Sequence, residues 1–193
     1  MAVQIWVATL NGPGQWTTHA SGAGQTSTST ASPGTIISPA PDFVIAQNSL
    51  YPGSLLRVTC FGQAVTGTTT ANATFALYYG GTAGNQLLLS AATQIGAVTT
   101  SQTVPFLYQA FIQCRTVGTS GTVMCYGQLK ISNAAAPAAT ASPQGNIFPL
   151  SAPATTTIDT TASGKTLVLS AWVSTATGSP SVKADIFTLE ALS

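Results

Sequence analysis

The sequence predicts an all-β fold, an antiparallel β-sandwich, on three observations. From Phe43 onward, apolar and polar residues alternate with period 2 in runs of strand length. Clusters of Gly, Pro, Asn and Ser interrupt these runs at short intervals. No segment of helical length carries a 3.6-residue period, and the one Ala-rich stretch, 134–141, is broken by Pro137 and flanked by Pro143.

Taken in order, the expected strands are Phe43–Ala46, Leu55–Val65, Ala73–Tyr79, Gln86–Ala92, Val104–Val117, Val123–Ser132, Thr155–Thr160, Lys165–Ser174 and Val182–Leu192. Turn signals separate them: Tyr51-Pro52-Gly53, Gly80-Gly81, Gly118–Gly121, Ser163-Gly164 and Gly178-Ser179-Pro180. In Leu55–Val65 the apolar set Leu56, Val58, Cys60 and Ala64 falls on one face, with Arg57, Thr59 and Gln63 on the other. About eight strands of this length fit two packed sheets of jelly-roll type.

One hairpin allows its register to be derived. With Thr119-Ser120 as the turn centre, Ile112 faces Gly127, Ala110 faces Leu129, Tyr108 faces Ile131 and Cys114 faces Cys125. The opposite face then pairs Arg115 with Met124, Gln113 with Tyr126 and Gln109 with Lys130. Each strand contributes its more apolar set to one side, which a shared core requires. In this register Cys114 and Cys125 form a possible cross-strand pair within disulfide reach. Buried reduced thiols are the expected state, since no export signal is evident.

Residues 1–42 read as an extended N-terminal arm and 43–193 as the sandwich domain. The stretch 11–42 contains four Pro and five Gly, with Ser and Thr filling most of the rest. Such a composition buries too little apolar surface to fold alone. Ile5, Trp6, Val7, Leu10 and Trp16 are large apolar anchors along it, and Ile5, Trp6, Leu10 and Trp16 are the expected assembly contacts.

Composition narrows the function. Thr (31), Ala (29), Ser (19) and Gly (18) supply half of the 193 residues, and charged residues only 5%. None lies between Arg57 and Arg115. A free domain ordinarily covers itself with interspersed charge, whereas a hydroxyl-rich surface is cheaper to cover than an ionic one. This favours a surface made to be packed against neighbours, although secreted Thr-rich β domains share the chemistry. A net charge of +1 argues against nucleic acid as the main partner. Apolar runs fall short of a membrane span, and MAVQIWVATL lacks a basic n-region, so synthesis and assembly in a cytoplasm are expected.

Catalytic, metal and cofactor sites are not indicated. Three cysteines (Cys60, Cys114, Cys125) and a lone histidine, His19, do not make a metal set. His19 lies in the arm, a poor place to hold a general base beside a nucleophile. Asp185 and Glu190, five apart on one strand, are expected on opposite faces, and Asp42 and Asp159 belong to other segments. Gly164-Lys165-Thr166 resembles the end of a phosphate-binding loop, but the first glycine of that motif is replaced by Asp159. Asn72-Ala73-Thr74 matches a glycosylation sequon and is read as chance.

The order of motifs in 47–131 carries a resemblance. QNSLYPGSLLRVTCFGQA is followed by a hairpin ending in LYYGG, then by FLYQAFIQCRTVGTSGTVMCYGQL. This pattern resembles the jelly-roll structural proteins of tailed bacteriophages. The resemblance implies a TNF-like jelly roll, often a homotrimer, displayed on the capsid or tail. The expected function is a non-enzymatic virion structural protein, a capsid decoration or head-surface protein attached through its arm. Its expected partners are copies of itself and the major capsid protein or other virion proteins. The alternative is a minor tail or fibre protein that binds a host glycan or receptor, with Tyr78, Tyr79 and Tyr108 as candidate stacking surfaces.

Overall fold

The computed structural model describes residues 16–21, 26–38, 44–68, 71–80, 86–95, 102–131, 146–149, 156–163 and 165–192. These form thirteen strands in two antiparallel sheets. They are β1 (Trp16–Ser21), β2 (Thr26–Ser27), β3 (Thr35–Ile36), β4 (Val44–Ile45), β5 (Leu55–Val65), β6 (Ala71–Tyr79) and β7 (Gln86–Ile95). They continue as β8 (Thr103–Thr116), β9 (Gly121–Ile131), β10 (Asn146–Pro149), β11 (Thr156–Ile158), β12 (Lys165–Val173) and β13 (Ser181–Ala191). The larger sheet runs β1-β13-β5-β8-β9-β10, with β2 also on β13 and β11 on β9; the smaller runs β3-β12-β6-β7, with β4 on β12.

The order has a simple logic. Consecutive strands β5 and β6, β7 and β8, and β12 and β13 lie in opposite sheets, so the chain repeatedly crosses the sandwich. Meanwhile its beginning pairs with its end, β1 with β13 and β3 with β12. This wrapping of one long antiparallel ribbon is a jelly roll. Strands β9, β10 and β11 are inserted after β8 and widen the larger sheet.

The inner faces meet in one core. Val58, Cys60, Tyr108, Leu129, Phe187 and Leu189 from the larger sheet pack toward Phe75, Leu77, Leu89, Leu169 and Val173 from the smaller. The Phe75 ring lies 4.8 Å from that of Phe106 and 6.5 Å from that of Tyr108, centroid to centroid. The strand β5 shows how sequence dictates this: its even-numbered residues Leu56 to Ala64 are buried and its odd-numbered ones are not.

Of the segment read as an arm, residues 16–21, 26–27 and 35–36 are strands of the two sheets. Ser27, Ile37 and Ser38 are buried; the Ser27 hydroxyl donates to the Ala171 carbonyl at 2.6 Å, and the Ile37 amide to that of Leu169 at 2.8 Å. Residues 28–38 therefore cover β12, which explains why its centre is buried on both faces. Ile36 and Trp172 pack there with Ala76, Tyr78 and Val168. Gly34 adopts φ +79° with its α-carbon against this strand, where an added Cβ would stand 2.3 Å from the Ala171 carbonyl oxygen.

Two expectations of register are corrected. In the β8–β9 hairpin Ile112 faces Cys125, Ala110 faces Gly127, Tyr108 faces Leu129 and Cys114 faces Val123. The pairing is shifted by two residues from the sequence-derived one. A bulge between Cys114 and Thr116, and a turn centred on Thr119, absorb the difference. Gly118, at φ +121°, sets that turn, and the Thr116 hydroxyl caps it by accepting from the Thr122 amide. An even shift preserves faces, so Phe106, Tyr108, Ala110, Ile112 and Cys114 still point inward with Val123, Cys125, Leu129 and Ile131. It does separate Cys114 from Cys125, and all three cysteines are free and buried.

The second correction concerns β13. A bulge between Ala184 and Ile186 inserts Asp185 as an extra residue, so alternation reverses phase there. Ile186 turns outward and is 45% exposed, while Phe187 is fully buried. The same reversal places Asp185 and Glu190 on the same outer side of the sheet, not on opposite faces. Gly62 makes the bulge possible by lying under it: an added Cβ would stand 2.2 Å from the Lys183 carbonyl oxygen and 2.6 Å from the Phe106 ring.

Candidate functional site: the outer face of the larger sheet

Strands β13, β5, β8 and β9 carry a solvent-facing surface whose rows follow from their registers. One row is Glu190, Arg57, Phe111 and Tyr126; the next is Thr188, Thr59, Gln109 and Gln128; the third is Ile186, Phe61, Leu107 and Lys130. Before the first, Leu55, Gln113 and Met124 form another. Half of the exposed large apolar side chains among the described residues lie on this one face: Phe61, Met124, Tyr126 and Ile186. Phe111 and Tyr126 stack at 5.1 Å with their planes 12° apart.

Six of the nine charged side chains also sit on these four strands. Four of the six are paired. Arg57 donates to the Glu190 carboxylate, which raises the Arg57 pKa, and Lys183 reaches Asp185 at 3.1 Å. Arg115 donates to the Gln113 amide oxygen and the Gln128 amide to that of Gln109. The face thus combines apolar rings and aliphatic chains with amides, hydroxyls and internally neutralised charge. Such a surface costs little to dehydrate compared with one carrying isolated ions.

Sequence reasoning placed Met124 and Tyr126 on the outward side but missed this surface as a unit. Phe61 stands on the odd-numbered side of β5, one step from Thr59, and its exposed parity was a readable signal. Ile186 was hidden by the bulge, which has no marker in the sequence.

The remaining candidates fall as follows. Ile5, Trp6 and Leu10 lie outside the described residues, and Trp16 opens β1, its backbone paired with Ala191. His19 pairs with Thr188 on the same strand. Tyr78, Tyr79 and Tyr108 are 6%, 2% and 0% exposed, so none offers a ring for sugar stacking. Tyr79 instead donates its hydroxyl to the Asp159 carbonyl oxygen at 2.8 Å, and burial pushes its pKa up to about 12. Burial raises the thiols as well, Cys125 to about 12 and Cys60 higher still, with Asp185 adding to the latter.

The described residues hold no group of three or more His, Cys, Asp and Glu able to bind a metal. Asp185 and Glu190, five residues apart, are separated by roughly 15 Å, too far for a paired-carboxylate hydrolysis. The Asp159 carboxylate is held low by hydrogen bonds from the Thr161 hydroxyl and amide. Lys165 opens a strand rather than a helix, so the phosphate-loop likeness has no structural counterpart. Among the described residues no helix is long and apolar enough to cross a membrane. No family model matches the chain, and no match is found among curated proteins or solved structures.

Proposed function

We propose that this chain is a non-enzymatic structural subunit of a bacteriophage particle, a capsid decoration or head-surface protein that packs against its neighbours through the outer face of the larger sheet. The observation that carries the reading is that face: stacked rings and aliphatic side chains on four adjacent strands, with most of its charge neutralised within the sheet. Its neighbours are copies of the chain and other virion proteins, and the 5% charge content of the whole sequence supports a life in contact. The motif order in 47–131 supports the choice of a phage particle. The N-terminal residues Ile5, Trp6 and Leu10 supply the attachment.

The test is made on particles. Purified virions carrying the chain should contain it in many copies, distributed over the head when labelled. Phe61→Lys and Tyr126→Lys, both at exposed positions, should leave the unfolding midpoint nearly unchanged and abolish incorporation. Removing residues 1–15 leaves every described strand in place and should also prevent attachment. Absence from purified particles, or normal incorporation of both lysine variants, overturns the reading. Label confined to a few copies at the tail would move the protein to the fibre class.

A further inference from the structure

We infer that β7 is a second, separate association surface, through which two copies of this chain join edge to edge about a two-fold axis. It is distinct from the outer face of the larger sheet, and does not depend on the particle to which the chain belongs.

β7 borders the smaller sheet. It pairs with β6 on one side, and no described strand pairs with the other. The other strands at the borders of the two sheets are short: six residues in β1, four in β10 and two each in β3 and β4. β7 has ten, QLLLSAATQI. Exposed edges are ordinarily guarded by brevity, lysine, proline, a bulge or a covering segment, because a bare row of amides and carbonyls is a template for another strand. Here there is neither charge nor proline. A bulge lies near the start, at Leu88, and beyond it Leu89–Ile95 pairs regularly with Ala71–Leu77. Seven consecutive residues therefore present an even, neutral edge.

The identity of the occupant follows from this neutrality. When a strand meets its own copy in antiparallel fashion, every charge meets its like or lies beside it, and like charges directly opposite are destabilising. A strand free of charge escapes that penalty, whereas a foreign partner would be selected by complementary charge that this edge does not have. An axis at Ala92 sets Leu89 opposite Ile95 of the second copy. Leu89, Ala91 and Ile95 are buried and Ala92 is exposed. This register therefore keeps core-facing residues on one side of the joint sheet, and a small side chain sits on the axis. The two smaller sheets become one, by the addition of a strand to an exposed edge.

The experiment is sedimentation velocity of the full chain combined with hydrogen exchange. The wild type should form dimers, or even-numbered assemblies of them, with slow exchange at outward-facing amides of Leu89–Ile95. Ala92→Lys and Ala92→Glu should each weaken association by about tenfold or more, since two like charges meet at the axis. An equal mixture of the two variants should re-form the dimer, a rescue that a merely misfolded variant cannot give. Tyr126→Lys, on the other sheet, should leave the dimer intact. A wild-type monomer up to its solubility limit, a trimer insensitive to both Ala92 variants, or failure of the mixture to reassociate would overturn the inference. If dimerisation is lost in the Ala92 variants but particle incorporation persists, the edge contact stands apart from the outer-face reading; the converse result separates them in the other direction.

Discussion

Replacing Tyr108 with phenylalanine should make the protein more stable. Tyr108 is fully buried, and its hydroxyl has no hydrogen-bond partner among the described residues. It lies on β8 opposite Cys60 of β5 and Leu129 of β9. In the next inward row Ala110 faces Gly127, the smallest pair on that face, and beyond it Ile112 faces Cys125. The ring thus sits among thiols and small residues, none a good acceptor. Burial, with the Cys125 and Cys60 thiols nearby, drives its pKa well above the ordinary value, so the group is a neutral phenol at any physiological pH.

Leaving such a donor unsatisfied costs about 1–3 kcal/mol. Deleting one oxygen forfeits a few dispersion contacts, about 0.5 kcal/mol together. The ring, its stacking on Phe75 and its apolar burial are retained. Tyr108→Phe should therefore gain about 1–2 kcal/mol, equivalent to roughly 2–8 °C in Tm for a chain of this length. Urea unfolding followed by tryptophan fluorescence measures it, the midpoint rising at constant m. A loss of about 1 kcal/mol or more would show that the hydroxyl is satisfied, by a buried water for example, and would refute the reasoning.

Two other outcomes follow from packing and charge. Gly62→Ala should cost about 2–3 kcal/mol, because the new methyl meets the Lys183 carbonyl oxygen at 2.2 Å and a backbone atom cannot retreat without disturbing the β13 bulge; a thermal melt within about 1 °C of wild type would contradict this. Stability should be nearly flat from weakly acidic to neutral pH and fall on the alkaline side. The native thiols and Tyr79 hold their protons to higher pH than the unfolded chain does, so their contribution is complete below the ordinary thiol value of 9.0 and is lost as pH rises toward about 12. Asp159, lowered but exposed, gives only a shallow acid limb below its ordinary 3.8. Unfolding midpoints measured across pH that peaked above 10 would reverse the sign and sink the account.

The long strands were legible in the sequence because each buries one face. Period 2 located β5, β8, β9, β12 and β13 to within two residues at nearly every end. Four strands, β1, β2, β3 and β10, were not foreseen. The first three, WTTHAS, TS and TI, are mostly Thr and Ser, and β10, NIFP, has only four residues, so none carries a period-2 pattern long enough to read; each pairs with a longer strand, β13, β12 or β9. Faces were more legible than registers: Cys114 and Cys125 were placed correctly as inward-facing but two residues out of line, since a bulge leaves alternation intact on each side of it. The same kind of irregularity at Asp185 reverses the alternation of β13, turns Ile186 outward and concealed part of the outer surface. The exposed Phe61 and Tyr126, by contrast, are visible as large apolar residues on the polar parity of their strands.

The pairing of β1 and β2 with β13, and of β3 and β4 with β12, sets an order of events during synthesis. The first quarter of the chain leaves the ribosome long before the strands that will hold it, and loop closure over such separations is slow. Until β12 and β13 emerge, β5 and β6 each lack one neighbour, and the N-terminal strands have none. A truncated translation product therefore exposes open sheet edges and stays a target for chaperones and proteases. Only a chain read through β13 can close the roll, so the connectivity makes folding of the whole sandwich wait for its last two strands.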